Sequence, residues 1–495
     1  MRCCPWLKLL AVLFSGAALW NSTHALVVPV DNLGDSSWYM FGGTPRRNQV
    51  NTVDKNIPIT WSVEPGAEKN IKWTARVGRL GFGAPTVAAG KVFMGTNNDH
   101  PRNLSVKGDK GVLMCFRATD GAFLWQALHD KLEDRSTDWP HQGIASSPAL
   151  EGKRLYYVNN RCELICADTE GFLDGKNDGV QDELYKSSID ADIIWRLDMR
   201  GSLGVHPRYL ANCSPLVSGN LVFVVTGNGT NDEGKVVNPE APSFLAVAKN
   251  TGQVVWKSNL PGADIMEGQW SSPALATVDG QPQVIFPGGD GWLYGFEAAT
   301  GNLVWKFNAN PRNATYGRDG TGAKCYFMGT PVVAGDYCYI ATGRNPEQGP
   351  GPAYVWCIDL RKKGEMVWRF GGPRPNAGEG GRTEWFGRSM STCAVHDGLL
   401  YIAELHGYAS CLDAVTGQLY WQHDLKSECW GSPLWVDGKI YVPTGDGVVQ
   451  VFQHGKELKI LSEIDMGAAM YAPPVVAGGT LYIPTKGRLI AIARQ

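Results

Sequence analysis

Thr300-Gly301-Asn302-Leu303-Val304-Trp305 is the phrase on which the fold turns, because the chain repeats it. It returns as Thr251-Gly252-Gln253-Val254-Val255-Trp256 and as Thr416-Gly417-Gln418-Leu419-Tyr420-Trp421. Shorter forms place Gly121 four residues before Trp125 and Gly364 four before Trp368. A period of roughly 50 to 60 residues lies in the range where each repeat is one supersecondary unit. Ahead of Thr300 stands a strand-like run from Asp290-Gly291 to Ala299. Tyr- and Val-rich runs from Lys91 and Lys439 occupy the step before that in their own repeats. Each run is short, alternating, rich in β-branched and aromatic residues, and bounded by Gly, Asn or Asp, which reads as four strands and three tight turns per unit.

The units open at Ala84-Pro85, Ser147-Pro148, Ser214-Pro215, Ser272-Pro273, Thr330-Pro331, Thr392-Cys393, Ser432-Pro433 and Pro473-Pro474. The last repeat ends after its third strand, Leu489 to Ala493, while a spare fourth strand around Trp73 precedes the first opening. Pairing these ends closes a ring and removes the sheet edges that an open array exposes. The expected fold is therefore all-β: an eight-bladed propeller of four-stranded antiparallel blades. The expected organisation is residues 1–25 as an export signal, 26–70 as a lead-in segment and 71–495 as one propeller domain.

The Gly-x-x-x-Trp tails resemble the tryptophan-docking motif of the pyrroloquinoline-quinone-like (PQQ-like) propeller repeat family. Trp38 to Asn48 resembles that family's leading segment, and the resemblance runs from about Trp38 to Gln495. The family includes quinoprotein dehydrogenases and non-enzymatic propellers such as the outer-membrane assembly factor BamB. It implies that the tail tryptophans Trp125, Trp195, Trp256, Trp305, Trp368 and Trp421 pack between neighbouring blades, and that any ligand lies in the axial funnel.

Charge and length narrow the function. The 495 residues carry 46 Lys and Arg against 48 Asp and Glu, a net charge of −2, so nothing points to nucleic acid or a membrane surface. Arg2 and Lys8 flank the start of an apolar stretch from Leu9 to about Trp20, with small Ala25 beyond, as in a cleaved export signal. Cys3 and Cys4 precede that stretch, so no lipoprotein cleavage site is read. No later run is long and apolar enough for a transmembrane segment. Asn21, Asn103, Asn228 and Asn313 open Asn-x-Ser/Thr triplets, which matter only in a eukaryotic secretory pathway.

Ten of the 12 cysteines follow the signal. Cys115, Cys357 and Cys411 fall in the third-strand position where other repeats have Ala246 or Gly295, and Cys213 and Cys393 fall in the strand-opening slot. Small buried thiols suit those positions. Cys162 and Cys166 lie roughly 13 Å apart along a strand, too far to bridge.

Loops leading into the innermost strands should meet at one axial mouth. They carry His141, Gln142, Arg208, Asn212, Glu267, Gln269, Trp270, Lys324, Tyr326, Glu384, Trp385, Arg388, Glu428, Trp430 and Tyr471. Trp270, Trp430, Arg208, Arg388, Lys324, Glu267 and Asn212 are the candidate ligand residues, since aromatic faces beside cations suit a flat, anionic or sugar-like ligand. An acidic insertion between Gly171 and Trp195 offers Asp174, Asn177, Asp178 and Asp182 as Ca²⁺ ligands. Lys176 and Tyr185 break the EF-hand spacing. That insertion and a second loop, Thr226 to Pro242, are expected to be solvated on the rim. His206 and His406 are isolated, and no Gly-x-Ser-x-Gly, His-Glu-x-x-His or phosphate loop is present.

The expected function is an exported, periplasmic or secreted platform that binds another envelope or secreted protein. A PQQ- and Ca²⁺-dependent alcohol or sugar dehydrogenase is the alternative that the resemblance implies. That reading sets the quinone over Trp270 or Trp430, with Arg388 or Lys324 at its carboxylates. A carbohydrate-binding propeller using the same mouth is the third.

Overall fold

A computed structural model describes residues 36–375 and 382–494. The export signal and the thiols of Cys3 and Cys4 lie outside these residues. Eight sheets among the described residues form the blades, each of four antiparallel strands; seven run in chain order from an inner to an outer strand, and Val50–Asn51 adds a short parallel strand to the inner edge of the seventh blade. The first seven blades span residues 86–130, 149–198, 216–258, 274–308, 332–373, 394–424 and 434–465. The eighth joins three C-terminal strands to Ile71–Arg76, which pairs with Arg488–Ile492 and sets Trp73 opposite Ala491. The expected closure is therefore present.

The repeated glycine and tryptophan have one joint explanation. Gly301 lies at φ +75°, and a Cβ there would come 2.5 Å from the indole of Trp256 in the preceding blade. Gly121 on Trp73, Gly252 on Trp195, Gly364 on Trp305 and Gly417 on Trp368 repeat the contact. The indole N–H donates to a carbonyl three residues before that glycine: Trp73 to Ala118, Trp195 to Lys249, Trp256 to Ala298 and Trp368 to Ala414, at 2.9–3.0 Å. Trp305 departs from the rule and donates to Gln283 Oε1 at 2.9 Å. Each of these tails thus staples its blade to the next through apolar area, and all but Trp305, whose partner lies in its own blade, add one interblade hydrogen bond.

In four blades the tail tryptophan faces a cysteine on the third strand: Cys115 opposite Trp125, Cys166 opposite Trp195, Cys357 opposite Trp368 and Cys411 opposite Trp421. The ten cysteines from Cys115 to Cys429 are all buried and unpaired. Burial pushes the thiols up, those of Cys357 and Cys411 to about 12.

Residues 36–51 do something that periodicity could not announce: they circle the axis and touch every blade. Trp38 exchanges backbone hydrogen bonds with Val87 in blade 1, and Tyr39 O accepts from Leu150 N in blade 2. Pro45 O, Arg46 O and Gln49 O accept from Leu275, Val333 and Trp435 in blades 4, 5 and 7. Asn48 pairs by its side chain with both backbone groups of Val395 in blade 6. Asn51 donates to Val476 O in blade 8. Arg47, wholly buried, donates to Ser214 O and Pro215 O in blade 3 and to Pro273 O in blade 4, at 2.8–3.0 Å. Gly42, at φ +72°, makes the turn that brings Arg47 inward, where a Cβ would strike the Arg47 backbone at 2.5 Å.

The rim loop Thr226 to Pro242 differs in part from its expectation. Thr226, Asn228 and Thr230 are wholly buried. Asn228 Oδ1 accepts from His206 N and its amide donates to Asn238 O, so the base of the loop is packed, while its tip, with Asp232, Glu233, Lys235 and Val237, is exposed as expected.

Candidate functional site: the axial mouth

In six blades a Ser or Thr stands two residues before the inner strand, and these hydroxyls form a layer across the channel. Ser214 Oγ accepts from Ser147 N, Ser272 Oγ from Ser214 N, Thr392 Oγ1 from Thr330 N and Ser432 Oγ from Thr392 N, at 2.9–3.1 Å. This stitches neighbouring blades where a hydroxyl is the shortest group that reaches. Ala84 and Pro473 carry no hydroxyl, so the layer is interrupted at blades 1 and 8, where the ring closes.

Two residues before each opening lies the next layer out: Phe82, Ala145, Asn212, Trp270, Met328, Met390, Trp430 and Tyr471. All eight line the narrow channel cavity of about 100 Å³ that Phe41 of the lead-in segment shares at its base. Above it, a cavity of about 200 Å³ is walled by Trp139, Tyr209, Leu210 and Trp270 and by Phe82 and Trp430, with Asn345, Pro346 and Glu347 at one side. Tyr209 and Trp270 stack with rings 6° apart in plane, and Trp139 meets Tyr209 edge-on. Phe82, Trp430 and Tyr471 form a second cluster with centroids 5.4–6.0 Å apart. Two polar atoms in this wall, Asn212 Oδ1 and Trp430 Nε1, are buried without a partner.

Of the candidate ligand residues, Trp270, Trp430 and Asn212 line the mouth, as do Gln142 and Tyr471. The charged candidates are engaged elsewhere. Arg208 pairs with Asp232 at 2.6 Å, donates to the Tyr209 hydroxyl at 2.7 Å and lies over that ring. Arg388 gives its terminal nitrogens to the carbonyls of Gln348, Gly349 and Gly320 at 2.7–2.8 Å, and burial lowers its pKa. Glu267, 5% exposed, accepts from Tyr326, Asn345 and Gln348 at 2.6–3.0 Å. Gln269 bridges Asn228 O, Ser243 and Gly289 N. Lys324 is half-buried, and its carbonyl accepts from Arg344. Glu384 and Trp385 lie beside Arg382 and Arg374, and Glu428 and His141 are exposed.

Sequence reasoning missed Phe82, Trp139, Tyr209, Met328 and Met390. For Phe82, Met328 and Met390 the signal was available in the fixed offset of two residues before the opening. The nominated cations lie four or more residues before it, where the chain has turned away from the axis.

The acidic insertion does not gather its four oxygen donors. Asp182 is ion-paired with Arg196 and Asp174 with Lys176, while Asn177 bonds Gln181 and Glu183. Among the described residues no group of three or more His, Cys, Asp or Glu is placed to hold a metal. His406 is exposed, and His206 belongs to no such group. A quinone held by Ca²⁺ needs hard oxygens with open lone pairs and cations free for its carboxylates. Glu267 already accepts three hydrogen bonds and both arginines are committed, which leaves Asn212 Oδ1 as the one open oxygen among the candidates and Lys324 outside the cavity lining, too few donors to fit that group.

A family model described as outer membrane protein assembly factor BamB matches residues 109–380 and 353–495. The chain belongs to this family. Similar solved structures include BamB from Moraxella catarrhalis, at 15% identity and a TM-score of 0.54, with 85% of this chain and 96% of that one covered. Quinohemoprotein alcohol dehydrogenase from Comamonas testosteroni aligns at 13% identity and a TM-score of 0.62, covering 92% and 80%. A europium-containing methanol dehydrogenase aligns at 13% and 0.58, covering 92% and 89%. At these identities the likeness is one of fold. No curated protein sequence matches the chain. Among the described residues no helix is long and apolar enough to cross a membrane.

Proposed function

We propose that this member of the BamB family is an exported, non-catalytic platform in the cell envelope. In this reading the mouth and its surrounding loops receive a segment of another envelope protein. One observation carries it: Arg208, Arg388 and Glu267 are tied to the chain's own atoms, and apart from the exposed Glu347 at one side what faces the cavity is aromatic, aliphatic, thioether and amide surface. Arg208, Arg388 and Glu267 therefore hold loops in place and leave no acid–base pair poised toward a substrate. Aromatic walls around a short channel suit apolar anchors from a partner, which is how a few large side chains dominate protein recognition. The lead-in segment closes the base of the channel, so the mouth is the face left for docking.

The test incubates purified protein with pyrroloquinoline quinone and Ca²⁺, removes free quinone by gel filtration, and assays dye reduction with alcohols and sugars. Neither retained quinone absorbance nor turnover is expected. In the native envelope, a photo-crosslinking residue at Tyr471 should trap one defined protein, whereas the same residue at Met366, on the outer strand of blade 5, should not. Retained quinone with turnover would establish the dehydrogenase reading and end this one.

A further inference from the structure

The acidic insertion, which gathers no metal ligands, builds a second cavity. After the turn at Gly171–Asp174 the chain swings out and returns along the outer strand of blade 1, Phe123–Asp130. Gln126 N donates to Ile189 O and Ala191 N to Gln126 O, both at 2.9 Å, as a parallel bridge. The returning segment thereby roofs a cavity of about 260 Å³ between blades 1 and 2.

Two side chains in its wall carry polar atoms without partners. Gln126 is wholly buried and neither of its amide atoms has a hydrogen bond. Asp190 is 3% exposed; its Oδ2 accepts from Ser187 N and Oγ at 2.9 and 2.5 Å, while its Oδ1 has none. Both residues line the cavity. A buried amide with a free donor and a free acceptor is costly unless something occupies the space before it.

The charges around the cavity select the occupant. Five carboxylates line it against two guanidiniums. Asp182 is matched by Arg196 and Asp130 by Lys110, but no ion pair reaches Asp190 among the described residues. His129 adds no positive charge: burial holds its ring neutral, with its pKa down at about 3, between Tyr157 and Asn159. A bare metal ion leaves the Gln126 N–H groups without an acceptor.

We propose that this interblade cavity binds a small organic ammonium bearing a hydroxyl or carbonyl beside its nitrogen. The ammonium donates to Asp190 Oδ1 and Gln126 Oε1, and the neighbouring oxygen accepts from Gln126 Nε2. Tyr185, Leu184 and Ile193 give the apolar wall for its carbon skeleton. The insertion is then a ligand-binding roof, independent of what docks at the mouth.

Ethanolamine and glycinamide are the probes, titrated into the intact protein by calorimetry, with ethylene glycol, propionamide and Ca²⁺ as comparisons. Saturable binding of at least one ammonium probe is expected, with both neutral compounds at least tenfold weaker and Ca²⁺ not competing. Gln126→Met should weaken the probe at least tenfold while leaving the ligand-free melting temperature unchanged or higher, since an apolar residue of similar shape relieves the orphaned amide. Asp190→Asn should remove the preference for ammonium over the neutral analogue, and it decides the matter if Gln126→Met does not fold. Absence of saturable binding (the cavity holding water only), equal binding of neutral analogues, Ca²⁺ competition, or unchanged affinity in either variant would overturn the proposal.

Discussion

Removing the guanidinium of Arg47 should loosen the whole ring, although the residue belongs to no blade. It donates to four carbonyls, those of Phe41, Ser214, Pro215 and Pro273, at 2.8–3.0 Å, with no carboxylate partner. In Arg47→Met these carbonyls lose a charged donor, at roughly 1.5–2 kcal/mol each. Against this stands the relief of burying the charge. Desolvation pulls the Arg47 pKa down to about 10 from an ordinary value above 12, which opposes folding by about 3 kcal/mol. The difference leaves a loss of about 4 kcal/mol, in the range measured when one side of a buried charged contact is removed. With about 2 cal/mol/K of unfolding entropy per residue, a ring of this size loses about 4 °C in Tm for that amount.

Differential scanning calorimetry, with intrinsic fluorescence from the 18 tryptophans as a second probe, reads the shift. Arg47→Lys supplies one compact ammonium that reaches the carbonyls of blade 3 or blade 4 but not both, so it should recover less than half of the loss. An Arg47→Met protein that melts with or above the parent would refute the claim that residues 36–51 tie the blades together.

Gly301→Ala should cost about 2–4 kcal/mol, because a Cβ both meets the Trp256 indole at 2.5 Å and must adopt φ +75°; denaturant midpoints measure it, and Gly280→Ala, also at positive φ but with open space around its Cβ, isolates the backbone part. Asp290 is predicted to make stability fall as pH rises. Burial raises its carboxyl pKa to about 6, above the unfolded value of 3.8, so the folded state binds the extra proton between these limits. That contribution is full below about pH 4 and lost through pH 6, worth up to about 3 kcal/mol. In Asp290→Asn, urea unfolding measured across this window should lose that slope; an unchanged slope would place the titration elsewhere.

How far the sequence could be read depended on whether a contact is repeated. The Gly-x-x-x-Trp tails, the opening Ser or Thr and the small third-strand residues recur because each blade meets its neighbour in the same way. Periodicity alone therefore yielded the strands, the count of blades and the ring closure. The candidate site was half legible. Trp270, Trp430, Asn212 and Tyr471 reach the axis, whereas Arg208, Arg388, Glu267 and Lys324, chosen for their charge, do not line its cavities. Charge states what a side chain can bond, but the offset from the inner strand decides the direction in which it points.

The sequence by itself determined the closed eight-bladed ring, because a four-strand unit repeated eight times buries every blade face by closing on itself. Only the tertiary structure decided what happens where the repeats converge or break. Residues 36–51 hold blades 1, 2, 4, 5 and 7 through backbone groups, which have no side-chain signature, and reach blades 3, 6 and 8 through the side chains of Arg47, Asn48 and Asn51, and the insertion's cavity arises where its return segment lands on a different blade. Both depend on groups far apart in the chain meeting once, and a single meeting leaves no period to read.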